Sequence, residues 1–131
     1  MTQPGQGIAT DGAHSMKRGV TRYRAVDLTT GELLFERNIG NQTINISEFL
    51  GVVEAAKYII EHGFTPRIIY TDSQTALTWF QEKRTASRKK NPAIKKAEIF
   101  LKVMASEVDR IKVIHWNTVD WGEIPADFNE K

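Results

Sequence analysis

Four carboxylates, Asp11, Glu48, Asp72 and Asp127, are the side chains best suited to chemistry in this sequence. Each falls where the local pattern predicts a strand ending or a helix beginning. Side chains at element ends on one side of a sheet can converge from distant points along a chain. Carboxylates gathered in a low-dielectric cleft repel one another unless divalent cations neutralise them. Four oxygen donors in a chain without cysteine favour magnesium or manganese. Two such ions roughly 4 Å apart can activate a water and stabilise a leaving oxygen, the chemistry of phosphodiester hydrolysis. It requires neither a nucleophilic side chain nor a general-base histidine, which fits the 3 histidines present.

Each acid also has a purely structural reading. Asp11 precedes Gly12, a common turn pair. Glu48 stands three residues after Asn45, the spacing of a capping box. Asp72 suits a helix cap, and Asp127 the first turn of a terminal helix, where the helix dipole favours negative charge.

The elements that must position these groups are legible in outline. Residues 7–11, 21–28 and 32–39 read as three strands of a meander, with residues 12–19 a polar turn region and residues 29–31 a tight turn. The period then becomes helical, with Ile46, Phe49, Leu50, Val53, Ala56 and Ile60 on one face until His62-Gly63. This predicts a helix over residues 46–61. A buried strand follows at 67–71, then a helix at 73–82. Pro92 opens a further helix carrying Ile94, Ala97, Phe100, Leu101 and Met104. Residues 111–116 form a last strand, and Pro125 starts a short terminal helix. A meander followed by strands reached through helices implies an α/β fold with a mixed sheet and helices on both faces. The ends of the first and fourth strands are then neighbours, bringing Asp11 towards Asp72.

The 131 residues suit one domain: residues 1–7 a flexible lead-in, residues 8–131 the folded unit, expected to be a monomer. No apolar run approaches the ~18 residues that cross a bilayer, so no membrane partner is expected. The opening MTQPGQG lacks the layout of a secretion signal, and a cytoplasmic location follows. Net charge is only +2, but Lys83, Arg84, Arg88, Lys89, Lys90, Lys95 and Lys96 lie close together. Such a stretch suits a polyanion, or is simply a solvated face.

Five segments, Thr10-Asp11-Gly12, residues 23–37 (YRAVDLTTGELLFER), 45–50 (NISEFL), 70–76 (YTDSQTA) and 121–128 (WGEIPADF), resemble the catalytic domain of bacterial type 1 ribonuclease H, particularly the subgroup of Gram-positive bacteria. The resemblance runs in family order from about Ile8 to the C-terminus. It implies a ribonuclease H-like fold with a five-stranded sheet, three strands antiparallel and then two parallel. It also implies cleavage of the RNA strand of RNA/DNA hybrids with two Mg2+ ions, Mn2+ able to substitute, leaving 5'-phosphate and 3'-hydroxyl ends.

Carried over by position, Asp11, Glu48, Asp72 and Asp127 match the metal-binding acids, with Asp11 bridging both ions. Glu123 matches a loop residue associated with metal exchange or product release. Gln74 matches a residue reaching base edges in the minor groove. Thr43, Asn45 and Ser87 match residues holding a phosphate of the DNA strand; Arg88 stands in that pocket where a small hydroxyl residue is common, and Lys89 and Lys90 continue the basic stretch. Trp79 matches a residue near the DNA strand, although its helical spacing favours packing. The turn at residues 14–19 and Ile44 depart from the family pattern. The rival readings are another nuclease of this fold, a resolvase or an exonuclease, and a non-catalytic nucleic-acid-binding module.

Overall fold

A computed structural model describes residues 2–87 and 91–128. Its elements are β1 (Ile8–Ser15), β2 (Val20–Asp27), β3 (Leu33–Asn38), α1 (Ile44–His62), β4 (Ile68–Thr71), α2 (Gln74–Glu82), α3 (Pro92–Val103), α4 (Ala105–Val108), β5 (Lys112–His115) and α5 (Thr118–Trp121). The strands form one sheet in the order β3-β2-β1-β4-β5. Neighbours β1/β2 and β2/β3 are antiparallel, whereas β1/β4 and β4/β5 are parallel. This is the mixed five-stranded sheet that the sequence predicts.

One boundary differs in a way that matters. Asp11-Gly12 is not a turn: β1 continues to Ser15, with Asp11 opposite Arg24, Gly12 opposite Tyr23 and His14 opposite Thr21. The reversal comes later, where Gly19 takes φ +61°. Turn preference is local and weak, and pairing along the whole of β2 overrides it. On its other side β1 pairs with β4 only at Ile8↔Ile69 and Ala9↔Tyr70. Asp11 therefore lies beyond the β1/β4 ladder, beside a flank that pairs with no strand among the described residues.

Helix α1 covers one face of the sheet. Its Ile46, Phe49, Leu50, Val53 and Ala56 meet Ile8, Tyr23, Ala25, Phe35 and Ile69 in the main core, joined by Ala76 and Phe80 of α2 and Ile94 and Leu101 of α3. Each large apolar side chain buried in this way contributes about 1.5–3 kcal/mol. The helix starts earlier than its periodicity suggests, because Thr43 is the N-cap and its Oγ1 accepts the Ile46 N–H at 3.3 Å. It ends as expected at Gly63, whose left-handed φ of 59° no β-carbon opposes.

The opposite face carries Ala9, Val26, Tyr70, Trp116, Ile124 and Ala126. Rings of Tyr70, Trp116 and Trp121 pack edge to face there, with centroids 5.6 Å (Tyr70–Trp116) and 5.1 Å (Trp116–Trp121) apart. The short α5, which the periodicity did not predict, supplies Trp121 and is capped by Asn117, which accepts from the Asp120 N–H at 3.1 Å. The helix expected from Pro125 is not found among the described residues. The chain instead makes a turn in which Asp127 N–H donates to the Ile124 carbonyl at 2.9 Å.

Tyr23 ties the sheet to α1, its hydroxyl donating to Glu54 at 2.6 Å. Burial, reinforced by that carboxylate, pushes its ionisation well above the ordinary 10.0. The folded state thus keeps this proton when the unfolded chain begins to lose it. The resulting stability is present below about pH 10 and declines as pH rises further. Urea titrations from pH 9 to 11 should show this decline in the native sequence and a shallower one in Tyr23→Phe.

Candidate metal centre

Three of the four expected acids converge. Asp11, Glu48 and Asp72 each place a carboxylate oxygen so that all three lie within 4.8 Å of one another. Asp11 and Glu48 are only 3% and 8% exposed, while Asp72 is half-buried. Two unit charges at such a separation repel by about 3 kcal/mol at an effective dielectric constant near 20. The donor set is oxygen alone, anionic and partly desolvated, which fits a hard divalent cation such as magnesium or manganese.

The structural alternatives for these acids give way to other residues. Glu48 belongs to no capping box, since Thr43 is the cap and Asn45 is an exposed residue of the first turn. Its Oε2 instead accepts the Gly12 N–H at 3.1 Å, in a buried contact between α1 and β1. The close approach depends on glycine: a β-carbon at residue 12 would stand 2.3 Å from Ser47 Oγ and 3.1 Å from Glu48 N. Asp72 follows the last residue of β4, but α2 is capped by Ser73, whose Oγ accepts the Ala76 N–H at 3.0 Å. Thr71 Oγ1 accepts the Ser73 N–H at 3.1 Å, which shapes the bend containing Asp72.

Asp127 is not in the 4.8 Å group. It is buried, at 8% exposure, and its backbone is tied to β2: Arg24 donates from Nε to the Ala126 carbonyl at 2.8 Å and from Nη2 to the Asp127 carbonyl. Arg24 faces Asp11 across the antiparallel pair, and direct partners point to the same side of a sheet. The C-terminal turn is therefore held on the Asp11 side. Glu123 is exposed in the preceding loop, next to Gly122, whose carbonyl accepts Trp116 Nε1–H at 2.9 Å.

The other expected contact residues flank the acids along the chain. Thr43 and Asn45 are exposed at the start of α1, and Gln74 is exposed at the start of α2, its Nε2 donating to Thr78 Oγ1 at 3.3 Å. Ser87 is half-buried at the edge of the described region. Arg88, Lys89 and Lys90 lie outside the described residues. Trp79 is buried against Phe49, ring centroids 5.9 Å apart, and is a packing residue. His115 is exposed at the end of β5.

The sequence reading missed three contributors. Gly12 matters for contact distance, not for a turn. Arg24 carried no local signal beyond strand alternation. Thr21, fully buried, donates its hydroxyl to the Gln42 carbonyl at 2.8 Å and accepts the Gln42 N–H at 2.9 Å, which fixes the segment leading into Thr43. Because that hydroxyl's one proton is used, the 2.8 Å contact from His14 requires His14 Nδ1 to donate. The end of β1, where the sequence departs from the family pattern, is thereby linked to the start of α1, and residues 14 and 15 belong to the strand and not to the turn.

No protein-family model matches the sequence. Among solved structures, the chain is similar to the N-terminal ribonuclease H domain of an Rv2228c protein from Mycobacterium tuberculosis, with 19% identity over 84% of this chain and 86% of that one and a TM-score of 0.53. It is also similar to ribonuclease H1 from Halobacterium salinarum, with 18% identity, 82% of each chain covered and a TM-score of 0.51. A third is a ribonuclease H1 isolated from compost, 21% identical over 82% of this chain and 81% of that one, with a TM-score of 0.55. That compost protein has also been solved in complex with an RNA/DNA hybrid. The fold is ribonuclease H-like.

Proposed function

We propose that this chain is a metal-dependent endoribonuclease that hydrolyses the RNA strand of RNA/DNA hybrids, a member of the bacterial type 1 ribonuclease H group. The observation that carries the reading is the meeting of Asp11, Glu48 and Asp72 within 4.8 Å at the open flank of β1. The likeness to ribonuclease H structures, one of them hybrid-bound, supports the choice of substrate.

In this reading Asp11, Glu48, Asp72 and Asp127 would hold the cations, with Asp11, Glu48 and Asp72 already gathered. The chemistry supplied by the bound ions, two magnesium or manganese, is activation of an attacking water and stabilisation of the oxygen that leaves. The chain's own part is placement. Gly12 N–H orients Glu48, Ser73 starts α2 so that Asp72 stays at the strand end, and Glu123 stands in an exposed loop where product can depart. Water adds to phosphorus as the bond to the 3' oxygen breaks, which leaves a 5'-phosphate and a 3'-hydroxyl. Exposed polar groups at the starts of α1 and α2, Thr43, Asn45 and Gln74, with Ser87, Arg88, Lys89 and Lys90, contact the hybrid, and hydrogen bonds to the 2'-hydroxyl separate RNA from DNA.

A labelled hybrid incubated with magnesium is expected to be cut at internal RNA positions and to survive in EDTA, while duplex DNA, duplex RNA and four-way junctions remain intact. Junction cutting or stepwise removal of terminal nucleotides would replace this reading with a resolvase or an exonuclease. Binding without cutting in every cation tried would identify a non-catalytic module.

A further inference from the structure

We infer that Arg24 is the positioning residue that registers Asp127 against Asp11, an inference resting on the proposed metal-centred reading. Asp127, the last of the four candidate ligands in chain order, lies outside the helices and strands: among the described residues it follows α5 in a turn. One guanidinium grips the three residues around it. Nε donates to the Ala126 carbonyl at 2.8 Å, Nη2 donates to the Asp127 carbonyl, and Cζ lies 4.3 Å from the centre of the Phe128 ring. Arg22 sits 4.7 Å from the same ring, so the aromatic ring is shared by two cations. Glu36 of β3 lies 3.5 Å from Arg22 Nη1 and 3.6 Å from Arg24 Nη1, which offsets the repulsion between them.

The geometry assigns Arg24 more than a general anchoring role. It is the direct partner of Asp11 in the sheet, and such Cα atoms stand about 5 Å apart. Its five donors are arranged in a rigid fork, so bonding two successive carbonyls fixes the orientation of that turn as well as its distance. A carboxylate carried on a loose turn would pay an ordering cost each time a cation bound; Arg24 removes it in advance. Lysine at this position can hold one carbonyl and pair with Glu36, but it lacks the fork.

The test uses the whole chain without substrate. Mn2+ binding is measured by calorimetry for the native protein, Arg24→Met, Arg24→Lys, Asp127→Asn and the double variant Arg24→Met/Asp127→Asn. Amide exchange over residues 124–128 and thermal melting are followed alongside. Arg24→Met is expected to bind Mn2+ on the order of tenfold more weakly, the usual effect of losing a group that orients a ligand. Exchange at the Asp127 amide should be faster. Arg24→Lys should recover part of the affinity, and in the Asp127→Asn background Arg24→Met should cause no further loss.

Native affinity in Arg24→Met overturns the inference. So does an equal loss with and without the Asp127 carboxylate, which would make Arg24 an anchor of the C-terminal turn only. If Arg24→Met does not fold, Arg24→Lys and Arg24→Gln carry the same comparison. Hybrid cleavage is scored separately: a native protein that binds Mn2+ through Arg24-held Asp127 yet cuts no hybrid would remove the hydrolytic reading and leave this one standing.

Discussion

Asp72→Asn is expected to abolish hybrid cleavage while leaving hybrid binding intact. The substitution removes one ligand charge with almost no change of shape. The loss should exceed the roughly 10- to 100-fold cost of disturbing a group that merely orients a ligand. A second readout distinguishes this from damage to the fold. With Asp11 and Glu48 within 4.8 Å, removing the Asp72 charge relieves repulsion in metal-free buffer. Because Asp72 is half-buried, solvent screens the gross figure, and the net gain should be about 1 kcal/mol, or a rise in Tm of roughly 4 °C. Adding Mn2+ should stabilise the native protein by mass action and the variant much less. Normal cleavage by Asp72→Asn would mean that this carboxylate is not a ligand. A lower Tm without metal would mean that its local bonds outweigh the cluster.

Gly12→Ala is the second large effect, and it acts through distance alone. The new methyl would meet Ser47 Oγ at 2.3 Å and Glu48 N at 3.1 Å. Ser47 has little freedom to withdraw, since its Oγ donates to the Ile44 carbonyl at 2.7 Å, and the other neighbour is backbone. Helix α1 must therefore lift from β1, at a cost of about 1–3 kcal/mol. The lift also weakens the Gly12 N–H bond to Glu48 and carries that carboxylate away from Asp11. A misplacement near 1 Å can lower a rate by about 100-fold. The matched control is Gly51→Ala, in α1 facing β2, where the added carbon would stand 3.4 Å from Tyr23 Cβ, an ordinary contact. Alanine there should stabilise the helix by roughly 0.5–1 kcal/mol and leave cleavage unchanged. Chemical denaturation and the hybrid assay, run on both variants, give the comparison; equal behaviour of the two would show that the Gly12 contact does not set the site.

Where the sequence succeeded, the signal was periodic. Ile46, Phe49, Leu50, Val53 and Ala56 repeat at helical spacing because one stripe of α1 faces the sheet, and that stripe is the core observed. Gly63 and Pro92 mark helix ends by conformational limits that act within a few residues. The errors have one origin. Asp11-Gly12 resembles a turn because dipeptide preference is local, whereas β1 is held extended by partners on β2. Asn45 and Asp72 resemble caps, but the neighbouring Thr43 and Ser73 take that role, and a shift of one or two residues lies within what propensity can resolve. The terminal helix drawn from Pro125 gives way, among the described residues, to a turn whose backbone is bonded to Arg24.

Residue types and order alone determined that the chain is α/β, that its oxygen-rich acids suit divalent cations, and that Asp72 follows directly on a strand, whereas Asp11 proved to lie within β1 and not at its end. Those conclusions rest on composition and on repeats that each segment carries within itself. Which carboxylates share one space, why residue 12 must be glycine, and how Arg24 reaches the C-terminal turn were decided only by the tertiary fold. They depend on strand register and on the early end of β4, contacts between residues tens to more than a hundred positions apart that no local pattern encodes.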